Sequence, residues 1–182
     1  MADKSLSPVE RLAVGLEGLI MTRLVPKDSP GPVFKWLFKV PVICYRISLP
    51  LFGSFVLLLT TTGRKSGKPR YTALEYRREP SGDVIIMAGW GGHTDWRRNI
   101  QADPHVRVQL GRKHYEALAK PLSDADVAAW LAEALRLNPA SARIWSRWAG
   151  QPVHSDAPES LLRAARSFPS FRLKPLPGQN IP

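Results

Sequence analysis

Apolar residues at Val9, Leu12, Ala13, Leu16, Leu19 and Ile20 recur at three- and four-residue steps, the spacing of one helical face. Ser7-Pro8-Val9-Glu10 supplies the start signal: a capping hydroxyl, a proline at the first helical position and a glutamate three residues after the cap. A proline-rich linker follows at 26–32. Residues 34–47 predict a second helical stretch, bent or broken at Pro41. Then the period changes. Residues 55–61 form a continuous apolar run bounded by glycines, which predicts a buried strand. Residues 70–77 alternate and predict its neighbour. Pro80-Ser81-Gly82-Asp83 is a turn, and 84–88 a third strand. Residues 94–102 predict a short helix capped by Thr94 and closed before Pro104. Residues 106–110 and 115–119 flank a Gly111-Arg112 turn, a hairpin signal.

The last third is helical in period. Ser123-Asp124-Ala125-Asp126 opens a helix whose stripe is Val127, Trp130, Leu131, Ala134 and Leu135. Asn138-Pro139 starts the next, which runs toward Gly150 with Trp145 and Trp148. Asp156 to Glu159 reads as a capping box opening 161–166, and 171–174 as a closing strand. Strands in a run, one inserted helix and late helices give an α+β fold rather than a doubly wound sheet. A six-stranded antiparallel β-barrel suits this order. The expected division is an N-terminal helical extension over 1–52 and the barrel domain over 53–182.

Charge sharpens the picture. The 182-residue chain carries a formal +11 and a pI near 10.3. Such a balance asks for an acidic partner: nucleic acid, an anionic membrane surface or a polyanionic small molecule. Between Ser29 and Leu74 there is no acidic residue, against Lys35, Lys39, Arg46, Arg64, Lys65, Lys68 and Arg70. Aromatics do not interleave with the basic loop, as stacking on nucleic acid would require. The single cysteine, Cys44, cannot close an internal disulfide and points to a reducing cytoplasm. The N-terminal stretch, with Asp3, Glu10 and Glu17, is not a secretory signal. Residues 33–62 are apolar, but charges, prolines and Gly53 interrupt them too often for a membrane span. Trp36, Phe38 and Tyr45 among lysines suit peripheral contact with an anionic membrane at its inner face.

Two segments carry candidate chemistry. In Thr60-Thr61-Thr62-Gly63-Arg64-Lys65-Ser66-Gly67-Lys68-Pro69-Arg70, two glycines allow successive N–H groups to converge on an anion, among four cations and several hydroxyls. It is not a P-loop, since Lys68 is followed by Pro69. The competing reading is a solvated basic hairpin. In Ala88-Gly89-Trp90-Gly91-Gly92-His93-Thr94-Asp95-Trp96-Arg97-Arg98-Asn99, a strand runs through glycines into a helix start, with two tryptophans suited to covering a planar ring. Here the competing reading is a plain turn with Trp96 in the core. His93, His105, His114 and His154 lack metal-ligand spacing, and no metal is expected.

In their order and spacing, these stretches and Ala102-Asp103-Pro104-His105-Val106 resemble the deazaflavin-dependent (coenzyme F-420) nitroreductase and quinone reductase family, over about residues 57–122. The resemblance implies a flavin-reductase-like split β-barrel and the 8-hydroxy-5-deazaflavin cofactor F-420. Arg64, Lys65, Ser66, Gly67 and Arg70 would hold the cofactor's phosphate and acidic tail. Ala88, Gly89, Trp90, Trp96 and Asn99 would border its ring. Members that reduce bulky nitroaromatics carry tyrosines on the late helix, where this chain offers Asn138, Ser141, Ile144 and Trp145. The expected activity is hydride transfer to a small electron-poor acceptor such as a quinone, with Trp145 and Tyr45 at the substrate. No acid–base residue is assigned. An FMN oxidoreductase on the same barrel, and a non-enzymatic carrier of cofactor or lipid, remain as alternatives.

Overall fold

The computed structural model describes residue 36 and residues 39–47, 56–79, 81–89 and 93–179. Helix α1 (Lys39–Arg46) precedes strands β1 (Val56–Thr62), β2 (Pro69–Arg78) and β3 (Val84–Met87). Helix α2 (Asp95–Ala102) separates these from β4 (His105–Leu110) and β5 (Lys113–Pro121). Helices α3 (Asp124–Leu137), α4 (Ala142–Ala149) and α5 (Pro158–Ala165) follow, and β6 (Ser170–Pro175) closes the chain. The expected N-terminal helix and the 1–35 part of the extension lie outside the described residues.

All six strands pair antiparallel and close a barrel in the order β1-β2-β3-β6-β5-β4. Side-chain alternation explains what fills it. Leu57 and Leu59 of β1, Val106 and Val108 of β4, Tyr115 and Ala117 of β5, and Leu173 of β6 point inward and are buried. Leu58 points outward yet is buried as well, and α1 packs against β1 and β2. Cover on both faces is why β1 reads as an unbroken apolar run. Trp96 and Ile100 of α2 join the same core, with Trp96 edge-on to Phe171 at 5.9 Å. A second core lies between α3 and α5 around Leu131, Leu161 and Phe168.

Three local readings need correction. Pro41 does not break its helix: the described residues on both sides of it, Lys39 to Arg46, are helical. Thr94 is the N-cap of α2 by position, but its side chain makes no capping bond and its hydroxyl is buried without a partner among the described residues. The Asp156 capping box is not made. Pro158, with its fixed φ, takes the first helical position, so Ala157 becomes the cap. The box at Ser123 does form, with Ser123 accepting from the Asp126 N–H at 3.1 Å.

Candidate functional site at one end of the barrel

Register decides which segments meet. Thr62 pairs with Pro69 and Met87 with Ser170, and α2 sits over the same barrel end. The 63–68 loop, the 88–89 turn and α2 therefore share one rim. The two segments singled out in the sequence thus converge, although about 30 residues separate them.

The loop is held by Asn99. That side chain is buried. Its Oδ1 accepts from the Arg64 backbone N–H and from Arg64 Nη1, both at 3.2 Å. Its Nδ2 donates to Thr61 Oγ1 at 3.1 Å. Arg64 Nη2 also donates to Asp95 at 3.0 Å. Asn99 thus ties the loop to α2 and β1, and Arg64 is a fastening cation.

The loop's own backbone departs from the expected anion nest. Ser66 and Gly67 N–H groups both donate to the Gly63 carbonyl, and Gly63 N–H donates to the Lys68 carbonyl. Those donors are spent on closing the turn and do not converge on a ligand. Gly63 is required sterically: a Cβ there would lie 2.8 Å from Ser66 Oγ and 3.0 Å from the Lys68 carbonyl oxygen. Gly67 takes φ of 63°, the left-handed region that glycine enters freely. What faces solvent is Lys65, Lys68 and Arg70, with Ser66 between them. Ser66 Oγ accepts from Arg70 Nη2 at 3.3 Å, which leaves its own O–H to donate. Among the described residues no carboxylate pairs with Lys65, Lys68 or Arg70.

Beside the loop, a cavity of about 270 Å³ opens on the outer wall of the barrel. Thr60, Thr62, Tyr71, His105 and Arg107 line it together with Gly67. Asp103 stands nearby with its carboxyl held below the usual range, first by the His105 backbone N–H and then by the Thr62 and His105 side chains.

The ring-side candidates divide. Ala88 is fully buried and its N–H donates to the Pro169 carbonyl at 2.9 Å. Gly89 faces Trp148, whose ring would lie 3.8 Å from a Cβ added there. Trp90 lies outside the described residues. Trp96 is buried, and its side chain is part of the barrel core. Trp145 sits edge-on to Trp130, Trp148 and Phe168 at 5.4, 5.7 and 5.2 Å, so it packs the helical core and supports Trp148. Trp148 is the residue the sequence reading left among core positions. The signal was its i, i+3 spacing from Trp145, which extends the aromatic row to the barrel rim.

Tyr45 stands elsewhere. Its buried hydroxyl donates to the Val56 carbonyl at the start of β1, about 20 Å along the strand from the loop. Burial raises its pKa, partly offset by a hydrogen bond from the Gly111 backbone. It is a packing residue of the far end, not a neighbour of the loop. Among the described residues, no group of three or more His, Cys, Asp or Glu side chains is placed to hold a metal ion.

The family described as F420H(2)-dependent quinone reductase matches residues 44–151, more than half of the chain. The chain belongs to this family. The matched span runs from α1 through α4 and takes in the loop, the 88–89 turn, α2 and Trp148. Over 74 residues the chain is 40% identical to the F420H(2)-dependent quinone reductases MT1299 and Rv1261c of two Mycobacterium tuberculosis strains, CDC 1551 / Oshkosh and ATCC 25618 / H37Rv. That alignment covers 38% of this chain and 48% of each relative, so the chain spans about half the length of the curated relatives it matches. Among solved structures, an F420-H2 dependent reductase (FDR-A) is 28% identical, with a TM-score of 0.46, over 65% of this chain and 93% of that one. The General Stress Protein 26 of Bacillus anthracis str. Sterne is 16% identical, with a TM-score of 0.43, over 72% and 89%.

Proposed function

We infer that this chain binds coenzyme F-420 at the loop end of the barrel and passes a hydride from its reduced form to a small, quinone-like acceptor. The observation that carries this reading is the cluster of Lys65, Lys68 and Arg70. These three exposed cations lack carboxylate partners, on a loop that Asn99 fastens to α2. A phosphate or glutamyl carboxylate is the complementary charge, and Ser66 adds an O–H donor. The neighbouring Thr60, Thr62, His105 and Arg107 cavity suits the polar remainder of such a tail.

The fit extends to the ring. Gly89, partly exposed and backed by the ring of Trp148, lets a flat ring lie close to backbone, with the buried Ala88 beneath. When bound, the deazaflavin supplies the two-electron hydride chemistry, while the protein supplies position and a dry face. No tyrosine follows Tyr115, so α4 brings no phenol to take up charge on a nitro group, and this favours a planar quinone over a bulky bicyclic nitroimidazole.

Fluorescence titration of the protein with F-420 and, separately, with FMN tests the binding half. F-420 should bind tighter; tighter FMN would replace this reading with the FMN one. Oxidation of reduced F-420 with a menadione-type quinone and with a bicyclic nitroimidazole tests the other half. We expect the kcat/KM ratio to exceed one. Binding without turnover of either acceptor would make the chain a cofactor carrier.

A second reading concerns location. Trp36, Ile43 and Ile47 are 66%, 52% and 65% exposed, beside the exposed Lys39 and Arg46. Their helical spacing makes one apolar and cationic stripe, suited to peripheral contact with an anionic membrane from the cytoplasmic side. None of the described helices is long and apolar enough to cross a membrane. Co-sedimentation with anionic vesicles at low salt should pellet the protein, and absence of pelleting at every salt concentration would end the idea.

A further inference from the structure

Helix α4 holds Arg143 and Arg147 one turn apart, and both are exposed. Like charges at that spacing repel and disfavour the helix. The other arginines of the helical layer are paired with acids: Arg136 with Glu133, Arg163 with Glu159 and Arg166 with Asp124. Among the described residues Arg143 and Arg147 have no acidic partner. Local sequence supplies none either, since no acidic residue stands between Glu133 and Asp156.

Helix geometry places this pair beside Trp148. At about 100° per residue, Trp145 lies about 60° from Trp148 on one side, while Arg147 and Arg143 lie about 100° and 140° from it on the other. The Trp145 side is closed, because that ring packs edge-on to Trp130 and Phe168 in the helical core. Trp148 faces the partly exposed Gly89. The two guanidinium groups therefore flank the Gly89 and Trp148 shelf on the side away from that core.

We propose that Arg143 and Arg147 select quinone acceptors that carry an anionic substituent. This inference rests on the reading of the shelf as the ring site. The quinone gains a hydride and a proton and leaves as the hydroquinone. Its anionic substituent keeps its charge throughout and serves recognition alone. A guanidinium fork fits a carboxylate through two parallel N–H···O bonds. Because both cations are exposed, water and salt screen them, so the preference is modest and salt-dependent.

The test uses a naphthoquinone with a propionate side chain and the methyl ester of the same compound, which share one ring and differ by one charge. With reduced F-420 at low ionic strength, kcat/KM for the acid should exceed that for the ester about fivefold. Raising the salt to about 0.5 M should collapse the preference. Arg143→Gln combined with Arg147→Gln should bring the ratio to about one in a protein that keeps the parent's circular dichroism. Arg143→Lys combined with Arg147→Lys should retain most of it. Replacing Lys65 and Arg70 by Ala should instead weaken F-420 binding and leave the ratio as in the parent, which separates this flank from the loop. A parent ratio of one or less, or an undiminished ratio in the double glutamine variant, would overturn the proposal. Should neither quinone be turned over, the hydride reading fails by itself. Calorimetric binding of the acid and the ester, with and without oxidised F-420, then decides this inference by the same ratio.

Discussion

At the Arg78 end of β2, positive side chains are matched with acids. Arg172 makes two bonds of 2.6 Å to Glu79, and Lys174 reaches Asp83 at 2.9 Å. At the Pro69 end Arg107 pairs with Glu116, and Arg64, the residue fastened to α2, pairs with Asp95. Lys65, Lys68 and Arg70 stand exposed beyond it. Among the described residues these three have no acidic partner, so the loop is the uncompensated part of that end. Net charge alone does not mark a site; what marks it is cations that the fold fastens in place and then leaves without acids.

The sharpest way to break this contrast is to remove the uncompensated charges. Replacing Lys65 and Arg70 together by Ala should weaken F-420 binding at least tenfold, since charge-assisted hydrogen bonds contribute about 1.5–3 kcal/mol each. Thermal unfolding should be almost unchanged, because neither side chain has an acidic partner to lose. Unaltered affinity in the folded double variant would take the anion site away from this loop.

Asn99→Ala should act on both properties. It leaves the Arg64 N–H and Thr61 hydroxyl without their partner, at a cost of about 1–3 kcal/mol in chemical denaturation. It should also loosen the loop and weaken cofactor binding while every cation remains. A loss of stability with unchanged affinity would show that fastening and binding are independent.

The matched end supplies the control. Glu79→Gln breaks the bidentate pair with Arg172, whose side chains are 24% and 28% exposed. Partial exposure limits the expected loss to about 1 kcal/mol, with F-420 affinity the same as in the parent protein. A titration in which this variant bound F-420 more weakly would mean that the two ends are electrostatically coupled.

The smallest effect sits outside both ends and calibrates them. Ser123→Ala removes a formed capping box and should cost about 1 kcal/mol. The Asp126 carboxyl is held below its ordinary value by the Ser123 hydroxyl and N–H. A lowered folded-state pKa gives stability that is complete above the ordinary value, about 4, and lost as pH falls through the lowered one. The gap between parent and variant should therefore narrow in acid, as measured by denaturant midpoints from neutral pH to about pH 3.

What the sequence made legible was local. Alternation and turn residues located the six barrel strands to within a few residues, and Ser123 with Asp126 marked its helix start correctly. What it did not make legible depends on partners far along the chain. The Gly63 and Gly67 turn spends its N–H groups internally, a result of closure that composition does not reveal. Asn99 faces Thr61 and Arg64 across more than 30 residues, so its positioning role emerges only from barrel register. The places of Tyr45, at the Val56 end of β1, and Trp148, against Gly89, were hidden for the same reason: helix period gives the face a residue occupies, but not which rim that face meets.

Closure of the barrel has a consequence for how copies of this chain can meet. Each strand has a neighbour on both sides, but the pairing is staggered: β2 meets β3 only at Tyr76, Arg77 and Arg78, and its Pro69 to Glu75 stretch pairs with β1 alone. Away from that stretch, self-association by strand addition would first require a strand to leave the barrel, at a cost close to that of global unfolding. Amide protons in β1, enclosed by β2 and β4, should accordingly exchange with solvent only through such large openings.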